Sequence, residues 1–248
     1  LMAVSMAVIR VLEAEAGLDL ARDAKFVAGH SLGEYSALAA ARTFSLADTA
    51  RLLRLRGQAM QQAVPVGHGA MAALLGMELE AALEVAAEAA QGEVCQVAND
   101  NGGGQVVLSG AKEAVERAAG IARAKGARRA ILLPVSAPFH CAMMGPAAEA
   151  MQQALAGIAM QAPIVPLVGN VTASPETDPD TIRNNLVAQV TGTVRWRECI
   201  ACMTSSGVDS FYEIGAGKVL SGIVKRISRD SHSQAIGSPA DISAYQNG

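Results

Sequence analysis

Aromatic residues, cysteines and excess positive charge are all scarce in this 248-residue sequence. Only 3% of the residues are aromatic although 51% are hydrophobic, so the core must consist of Ala, Val, Leu, Ile and Met. Four cysteines are too few for a disulfide scaffold and suit a reducing compartment, so we expect a cytoplasmic protein. The formal net charge of −3 offers no electrostatic surface for nucleic acid or for an anionic membrane. Small molecules and proteins are therefore the expected partners.

Long hydrophobic runs are also missing, since none reaches the roughly 20 residues that a membrane span needs. No secretory signal is recognisable. Cys199 and Cys202 form a C-x-x-C without a second pair, which predicts two positions on one helix and no metal site. The sequence begins at Leu1, where an amphipathic row of period four already starts. From this we expect further residues upstream.

The order of the predicted elements indicates an α/β fold in two parts. A short apolar run at 26–29 predicts a buried strand, followed by helices at 32–41 and 46–63. Between two junctions rich in Pro and Gly, a βαββαβ order is predicted, with strands at 70–76, 93–98, 104–110 and 129–134 and helices at 79–90 and 113–125. This order is the split βαβ pattern of a ferredoxin-like lobe. We therefore assign 67–136 to an inserted ferredoxin-like lobe, and 1–66 with 137–248 to a larger lobe.

The larger lobe resumes after the insertion with helices and short strands. Strands are predicted at 163–171 and 209–215, and a helix at 218–227. The last dozen or so residues are rich in Ser, Ala and Pro, which predicts a loosely held tail.

A candidate nucleophile lies in Gly29-His30-Ser31-Leu32-Gly33, which fits G-x-S-x-G between a predicted strand and a predicted helix. Small flanking residues allow a sharp turn that projects the Ser31 hydroxyl. The amide of Leu32, at the helix N-terminus, would point at the oxyanion of a tetrahedral intermediate.

A serine needs a general base, and His140 is the best placed of the four histidines. It follows the exit from the inserted lobe and precedes a helix. His30 adjoins the serine and is expected to buttress the turn, whereas His68 and His232 are expected in solvated loops. An α/β-hydrolase triad runs Ser, acid, His, but no acid is obviously placed to orient His140. A backbone carbonyl is the alternative orienting group.

Arg56 stands on an apolar helical row with Leu52 and Met60. A guanidinium in such a place is costly unless it pairs with an anion, and its planar fork matches a carboxylate. The carboxylate could belong to a thioester substrate or to an internal salt bridge. The residues alone leave both alternatives open.

Several segments together resemble the malonyl-CoA:acyl carrier protein transacylase family over nearly the whole chain: 29–36, 56–57, 69–72, 99–107, 134–140 and 213–220. The resemblance implies an α/β-hydrolase-like large lobe with a ferredoxin-like insert. It implies transfer of a malonyl group from malonyl-CoA to the phosphopantetheine thiol of acyl carrier protein, through a malonyl-serine, in fatty acid biosynthesis. No cofactor is expected, and we expect a monomer.

The resemblance assigns roles to five central residues. Ser31 matches the family's nucleophile and His140 matches its base. Arg56 matches the arginine that grips the malonyl carboxylate. Gln189 matches the residue whose main-chain carbonyl orients the histidine, and Leu32 matches one oxyanion donor.

Five further residues match the family at the periphery of the site. Asn101 and Gln105 correspond to the lining of the pantetheine channel. Arg128 and Arg129 correspond to contacts with coenzyme A phosphates or with the acidic carrier protein. Phe139 resembles the residue of malonyl-selective members.

One departure from the family concerns its amino-terminal strand and Gly-Gln-Gly-Ser-Gln loop, which have no counterpart here. That loop supplies the second oxyanion amide, and losing one such donor costs about 10²- to 10³-fold in rate. The expectation is either a longer protein or a catalytically impaired fragment that binds carrier protein. A serine thioesterase or esterase is the other alternative, against which Arg56 and the missing acid argue.

Overall fold

The structure, a computed structural model, describes residues 1–246 as a mixed α/β fold. The helices are α1 (Met2–Glu15), α2 (Leu20–Asp23), α3 (Leu32–Ala40), α4 (Leu46–Ala63), α5 (Leu79–Ala90), α6 (Lys112–Ala124), α7 (Gly145–Ala156), α8 (Pro179–Thr191), α9 (Trp196–Ser205), α10 (Val219–Ile227) and α11 (Pro239–Gln246). The strands are β1 (Gly69–Leu75), β2 (Cys95–Asp100), β3 (Gln105–Ala111), β4 (Arg129–Leu132), β5 (Leu167–Val168), β6 (Pro175–Glu176), β7 (Ser210–Ile214) and β8 (His232–Ile236). A 3₁₀ turn at Ala142–Met144 precedes α7.

The first four strands form one antiparallel sheet in the order β2-β3-β1-β4. Ala72 of β1 lies opposite Leu108 on one side and Leu132 on the other. Helices α5 and α6 pack on this sheet through small residues such as Ala82 and Ala118, which are fully buried. Each predicted element of this segment is confirmed to within two residues of its predicted bounds. Hydrophobic periodicity was sufficient here because each helix and strand of this segment carries its own pattern of buried positions.

A second core holds the helices that carry the candidate site. It brings together Tyr35 of α3, Leu52 of α4, Met151 of α7 and Leu186 of α8, all nearly or fully buried. Each such side chain stabilises the fold by about 1.5–3 kcal/mol through burial of apolar surface. This packing fixes the start of α3, the middle of α4 and the end of α8 relative to one another.

Two predicted strands of the larger part are wrong in extent. Residues 26–29 contribute only a single parallel bridge, from Val27 to Leu167, because the chain turns into α3 directly afterwards. Of 163–171, only the two residues of β5 pair as a strand. Pro166 is one reason, since proline has no N–H to donate to a sheet.

The prediction of a loosely held tail is wrong for the described residues. Strand β8 pairs in parallel with β7, and α11 follows it. Ile242 of α11 is buried against Leu12 of α1, so this segment is part of the hydrophobic core. His232 consequently lies in β8 and not in a loop. The tail prediction also covered 247–248, which lie outside the described residues.

The helices within residues 1–246 can be assessed for their ability to span a membrane. None of them combines the length and the apolar character that a transmembrane segment requires.

Candidate active site

The serine turn is held in a conformation that few residues adopt. Ser31 has φ 53° and ψ −105°, and α3 begins at the next residue. A Cβ at Gly29 would lie 2.0 Å from the main-chain carbonyl of Gly33, so only glycine fits there. Such strain persists only where the surroundings impose it, and here it directs the Ser31 hydroxyl towards His140.

The serine, the histidine and a main-chain carbonyl form a continuous hydrogen-bonded chain. Ser31 Oγ lies 2.8 Å from His140 Nε2, and His140 Nδ1 lies 2.8 Å from the main-chain oxygen of Gln189. Because a carbonyl only accepts, Nδ1 carries the proton and Nε2 is free to accept the one from serine. Burial first, and the nearby charge of Arg56 second, lower the pKa of His140 to about 3. The imidazole is therefore neutral near pH 7, as a general base requires.

Arg56 also contacts the hydroxyl oxygen of Ser31. Its Nη2 donates hydrogen bonds to Ser31 Oγ at 3.0 Å and to Gln189 Oε1 at 2.9 Å. Its guanidinium carbon lies 5.7 Å from the centre of the Tyr35 ring. The residue is only 6% exposed, which places a cation in the interior.

No carboxylate within residues 1–246 forms an ion pair with Arg56, and its Nε has no hydrogen-bond partner there. The internal salt-bridge alternative is therefore wrong for the described chain. Helix α4 sets the position of the arginine, because Ser45 caps the helix by accepting from the amide of Asp48 and so fixes its start. A buried guanidinium that lacks an ion-pair partner and lies beside the Ser31 hydroxyl is suited to receive an anionic group of a substrate.

Two side chains that the sequence did not indicate complete the site. Asn170 accepts a hydrogen bond from the amide of Ser31 at 2.8 Å and donates one to the carbonyl of Gly29 at 2.8 Å. Glu34 accepts one from the side chain of Gln189 at 2.5 Å. The only sequence feature that points to Glu34 is its position directly after the G-x-S-x-G motif. Asn170 lies 139 residues from Ser31 in a loop, and no local pattern indicates it.

The Leu32 amide follows Ser31 in the chain, and the Asn101 side chain contacts His30, the residue before Ser31. The Leu32 N–H opens α3 and makes no hydrogen bond within the described chain, so it is available to a ligand oxygen. Asn101 Oδ1 lies 2.9 Å from Nε2 of His30, which also packs against the ring of Trp196. Within residues 1–246 the His30 ring makes no hydrogen bond to Ser31 or to His140, and its role as a buttress stays a prediction. The oxyanion and channel roles stay predictions.

The remaining predicted residues lie apart from the hydrogen-bonded chain. Gln105 accepts a hydrogen bond from Arg226 at 2.9 Å. Arg128 and Arg129 are exposed at the start of β4. In the described part of the protein no hydrogen bond joins these residues to the serine or the histidine. Their predicted contacts with coenzyme A or with carrier protein stay predictions.

Metal ligands do not cluster in the part of the chain that the structure describes. No group of three or more His, Cys, Asp or Glu side chains in it could hold a metal ion. Cys199 and Cys202 both lie on α9, as their spacing predicted.

A serine hydroxyl, a neutral imidazole and a buried cation in contact are groups suited to acyl transfer, and comparison with known proteins gives an acyltransferase class. A family model described as an acyl transferase domain matches residues 1–242. The chain belongs to this family.

Similar curated proteins carry one specific name. The malonyl CoA-acyl carrier protein transacylase of Escherichia coli (strain K12) is 45% identical over 244 residues, covering 98% of this chain and 78% of the relative. The protein of the same name from Bacillus subtilis (strain 168) is 44% identical over 218 residues, covering 88% and 69%. The resemblance inferred from the sequence motifs is thereby confirmed.

Solved structures agree with the mixed α/β fold. An acyl-carrier-protein-S-malonyltransferase from Bartonella henselae has a TM-score of 0.96 at 56% identity, covering 99% of this chain and 78% of that one. A type II PKS acyl-carrier protein in complex with its malonyl-transacylase gives a TM-score of 0.95 at 41% identity, again covering 99% and 78%.

Proposed function

We propose that this protein transfers a malonyl group from malonyl-CoA to the phosphopantetheine thiol of acyl carrier protein, in fatty acid biosynthesis. The observation that carries the proposal is the position of Arg56, a buried cation 3.0 Å from the Ser31 hydroxyl. A malonyl thioester has its carboxylate one carbon away from the reacting carbonyl. It therefore brings both groups to the places where Arg56 and Ser31 are found.

The proposed first half-reaction forms a malonyl-serine. Ser31 Oγ attacks the thioester carbonyl while His140 Nε2 takes the hydroxyl proton. The Leu32 amide donates to the oxyanion of the tetrahedral intermediate. The C–S bond then breaks, and coenzyme A leaves as a thiol with the proton from His140.

The proposed second half-reaction repeats these steps with a new nucleophile. The carrier thiol gives its proton to His140 and attacks the serine ester. The C–O bond breaks, and Ser31 recovers its proton from His140. In this cycle Arg56 holds the malonyl carboxylate throughout, and no cofactor or metal takes part.

Selectivity for malonyl follows from the same contact. An acyl group without a carboxylate, such as acetyl, would leave the buried guanidinium without an anion. Sites built around a polar contact discriminate strongly against analogues that lack the partner, because the buried group is then left unpaired.

We also propose a division of the chain into two lobes, the residues that contact coenzyme A and carrier protein, and the oligomeric state and location of the protein. We assign 1–66 and 137–248 to an α/β-hydrolase-like lobe and 67–136 to a ferredoxin-like lobe, supported by the antiparallel sheet and separate core within the latter segment. Asn101 and Gln105 would line the pantetheine channel. Arg128 and Arg129, both exposed, would meet coenzyme A phosphates or an acidic carrier protein. A cytoplasmic monomer completes the proposal.

Intact-mass measurement after incubation with malonyl-CoA tests the proposed chemistry. We expect one malonyl adduct on the wild type and none on Ser31→Ala. The adduct should persist in water and disappear when holo acyl carrier protein is added, with malonyl recovered on the carrier. Rapid hydrolysis without carrier would instead support a thioesterase. Carrier binding without any adduct would support an impaired carrier-binding fragment and contradict the proposal.

A further inference from the structure

Glu34 is a buried carboxyl group beside the site that the proposed reaction does not use. It lies in the first turn of α3 and is 1% exposed. Its two oxygens accept hydrogen bonds from different partners. Oε2 accepts from Gln189 Nε2 at 2.5 Å, and Oε1 accepts from the main-chain N–H of Asn170 at 3.2 Å.

These two partners hold the nucleophile turn. The Asn170 side chain accepts from the Ser31 amide, and Gln189 Nε2 donates to the Ser31 carbonyl at 3.0 Å. The serine backbone is thus fixed on both sides by residues that themselves meet at Glu34. A backbone at φ 53° needs such support, because its conformation is unfavourable for a residue with a side chain.

Gln189 also contacts the other two groups of the site. Its side-chain oxygen accepts from Arg56, and its main-chain oxygen accepts from His140. The residue is fully buried near the end of α8. A rotation of its side chain would therefore disturb the guanidinium and the serine turn together.

We propose that Glu34 is a positioning residue, whose carboxyl group holds Gln189 and Asn170 in the one arrangement that aligns Ser31 with His140 and Arg56. The inference rests on the proposed function only for the role of Arg56. The alignment of serine and histidine does not depend on the identity of the acyl group.

The carboxyl group has a property that its closest replacement lacks. Each of its oxygens keeps a lone pair for an N–H donor in either protonation state. A glutamine at position 34 would keep one acceptor for Gln189, but its NH₂ group would face the Asn170 amide, which is also a donor. A methionine would fill the space but offers the two donors only one weak acceptor, its thioether sulfur. Because acceptors are lost stepwise in this series, we expect the alignment of Ser31 with His140 and Arg56 to be best in the wild type, poorer in Glu34→Gln and poorest in Glu34→Met.

The test measures how fast Ser31 reacts with a fluorophosphonate at neutral pH, followed by intact mass. This probe reports on the serine and histidine and requires no malonyl group. We expect Glu34→Met to lower the rate constant about 10- to 100-fold, as small misplacements of reacting groups do. The final stoichiometry should stay near one label per chain, because the protein remains folded. Glu34→Gln should recover part of the rate.

Glu176 provides the matched control. It is also a buried glutamate, but it accepts from Thr172 and Asn185 and has no hydrogen bond to the serine, the histidine or the arginine in the described chain. Glu176→Gln should react at the wild-type rate.

A wild-type labelling rate in Glu34→Met would overturn the inference. So would a loss of stoichiometry at an unchanged rate constant, since that result indicates a purely structural role. Gln189→Met keeps the main-chain carbonyl but removes the amide through which Glu34 acts, so it should slow labelling as well. A normal rate in Gln189→Met overturns the inference even if Glu34→Met fails to fold. Absence of malonyl transfer in the wild type would instead contradict the proposed function alone.

Discussion

Arg56 and Ser31 are joined by a direct hydrogen bond of 3.0 Å, although one belongs to the middle of α4 and the other to the turn before α3. The Ser31 hydroxyl oxygen therefore contacts both a cation and the imidazole of His140. In the proposed reaction the cation would favour ionisation of the hydroxyl, and the imidazole would take the proton that ionisation releases.

Replacing Arg56 with alanine should remove the recognition of malonyl and leave the fold. We expect kcat/KM for malonyl-CoA to fall by an amount equivalent to about 2–5 kcal/mol, the usual cost of deleting one partner of a buried charge pair. The ratio of acetyl-CoA to malonyl-CoA transfer should rise. Arg54→Ala, an exposed arginine on the same helix, is the control and should match the wild type. Equal losses in both variants would refute the assigned role of Arg56.

The lowered pKa of His140 predicts that the reactivity of Ser31 persists at pH values well below 6.5. Burial lowers the folded-state pKa from the ordinary 6.5 to about 3, so the imidazole stays neutral as the pH falls through 6.5. Fluorophosphonate labelling should therefore change little between about pH 5 and pH 8, whereas an ordinary histidine would lose activity near 6.5. A titration of the rate centred near 6.5 would show that the imidazole is more accessible to water than the structure indicates.

The same group links stability to pH. The folded-state pKa of His140 lies below that of the unfolded chain, so its contribution to stability is fully present above pH 6.5 and is lost as the pH falls towards 3. His140→Gln cannot be protonated. Its free energy of unfolding, measured in urea at a series of pH values, should decline less than that of the wild type over this interval. Parallel curves would contradict the expectation.

The raised pKa of Glu34 predicts that KM for malonyl-CoA depends on pH in the alkaline range. Burial raises the pKa of Glu34 to about 8, so the group is neutral below this pH and gains a negative charge above it. The charged and titratable groups around it are Arg56, Tyr35, Glu176 and Cys199. The new charge would attract Arg56 and compete with the substrate carboxylate. We expect KM for malonyl-CoA to rise between about pH 7 and pH 9 in the wild type and to stay flatter in Glu34→Gln. Identical profiles would exclude this competition.

The two glycines of the serine turn should respond differently to alanine. At Gly29 the added Cβ would meet the Gly33 carbonyl at 2.0 Å, so Gly29→Ala should destabilise the fold by about 1–3 kcal/mol or more. At Gly33 nothing lies within 4 Å and the residue is already helical, so Gly33→Ala should be neutral or stabilising by up to about 1 kcal/mol. Chemical denaturation of both variants measures the difference, and equal effects would refute the steric argument.

The sequence correctly predicted those parts of the site that are marked by a pattern among neighbouring residues in the chain. Helix α4 was predicted at its observed bounds, and the apolar row within it correctly marked Arg56 as a buried cation. The turn at Ser31 was predicted from its small neighbours, although the strand expected before it is only a single bridge.

The rest depends on contacts between distant segments. Asn170 reaches Ser31 from a loop 139 residues away, and nothing in its own neighbourhood distinguishes it from other loop asparagines. Strand β8 was missed because its polar, Ser-containing sequence resembles a tail, and its pairing with β7 becomes visible only in three dimensions. Gln189 was found through family resemblance, but the three contacts of its side chain and carbonyl, with Arg56, His140 and Ser31, become visible only in the folded structure.

The carbonyl that orients His140 lies in the last turn of α8, where main-chain oxygens lack partners within the helix and carry the partial negative charge of the helix dipole. In a Ser-acid-His triad a fully charged carboxylate contacts the histidine, whereas here the partial negative charge of a main-chain carbonyl takes that place. Since no codon change can delete a peptide oxygen, this part of the machinery can be altered only by bending or unwinding the end of a helix.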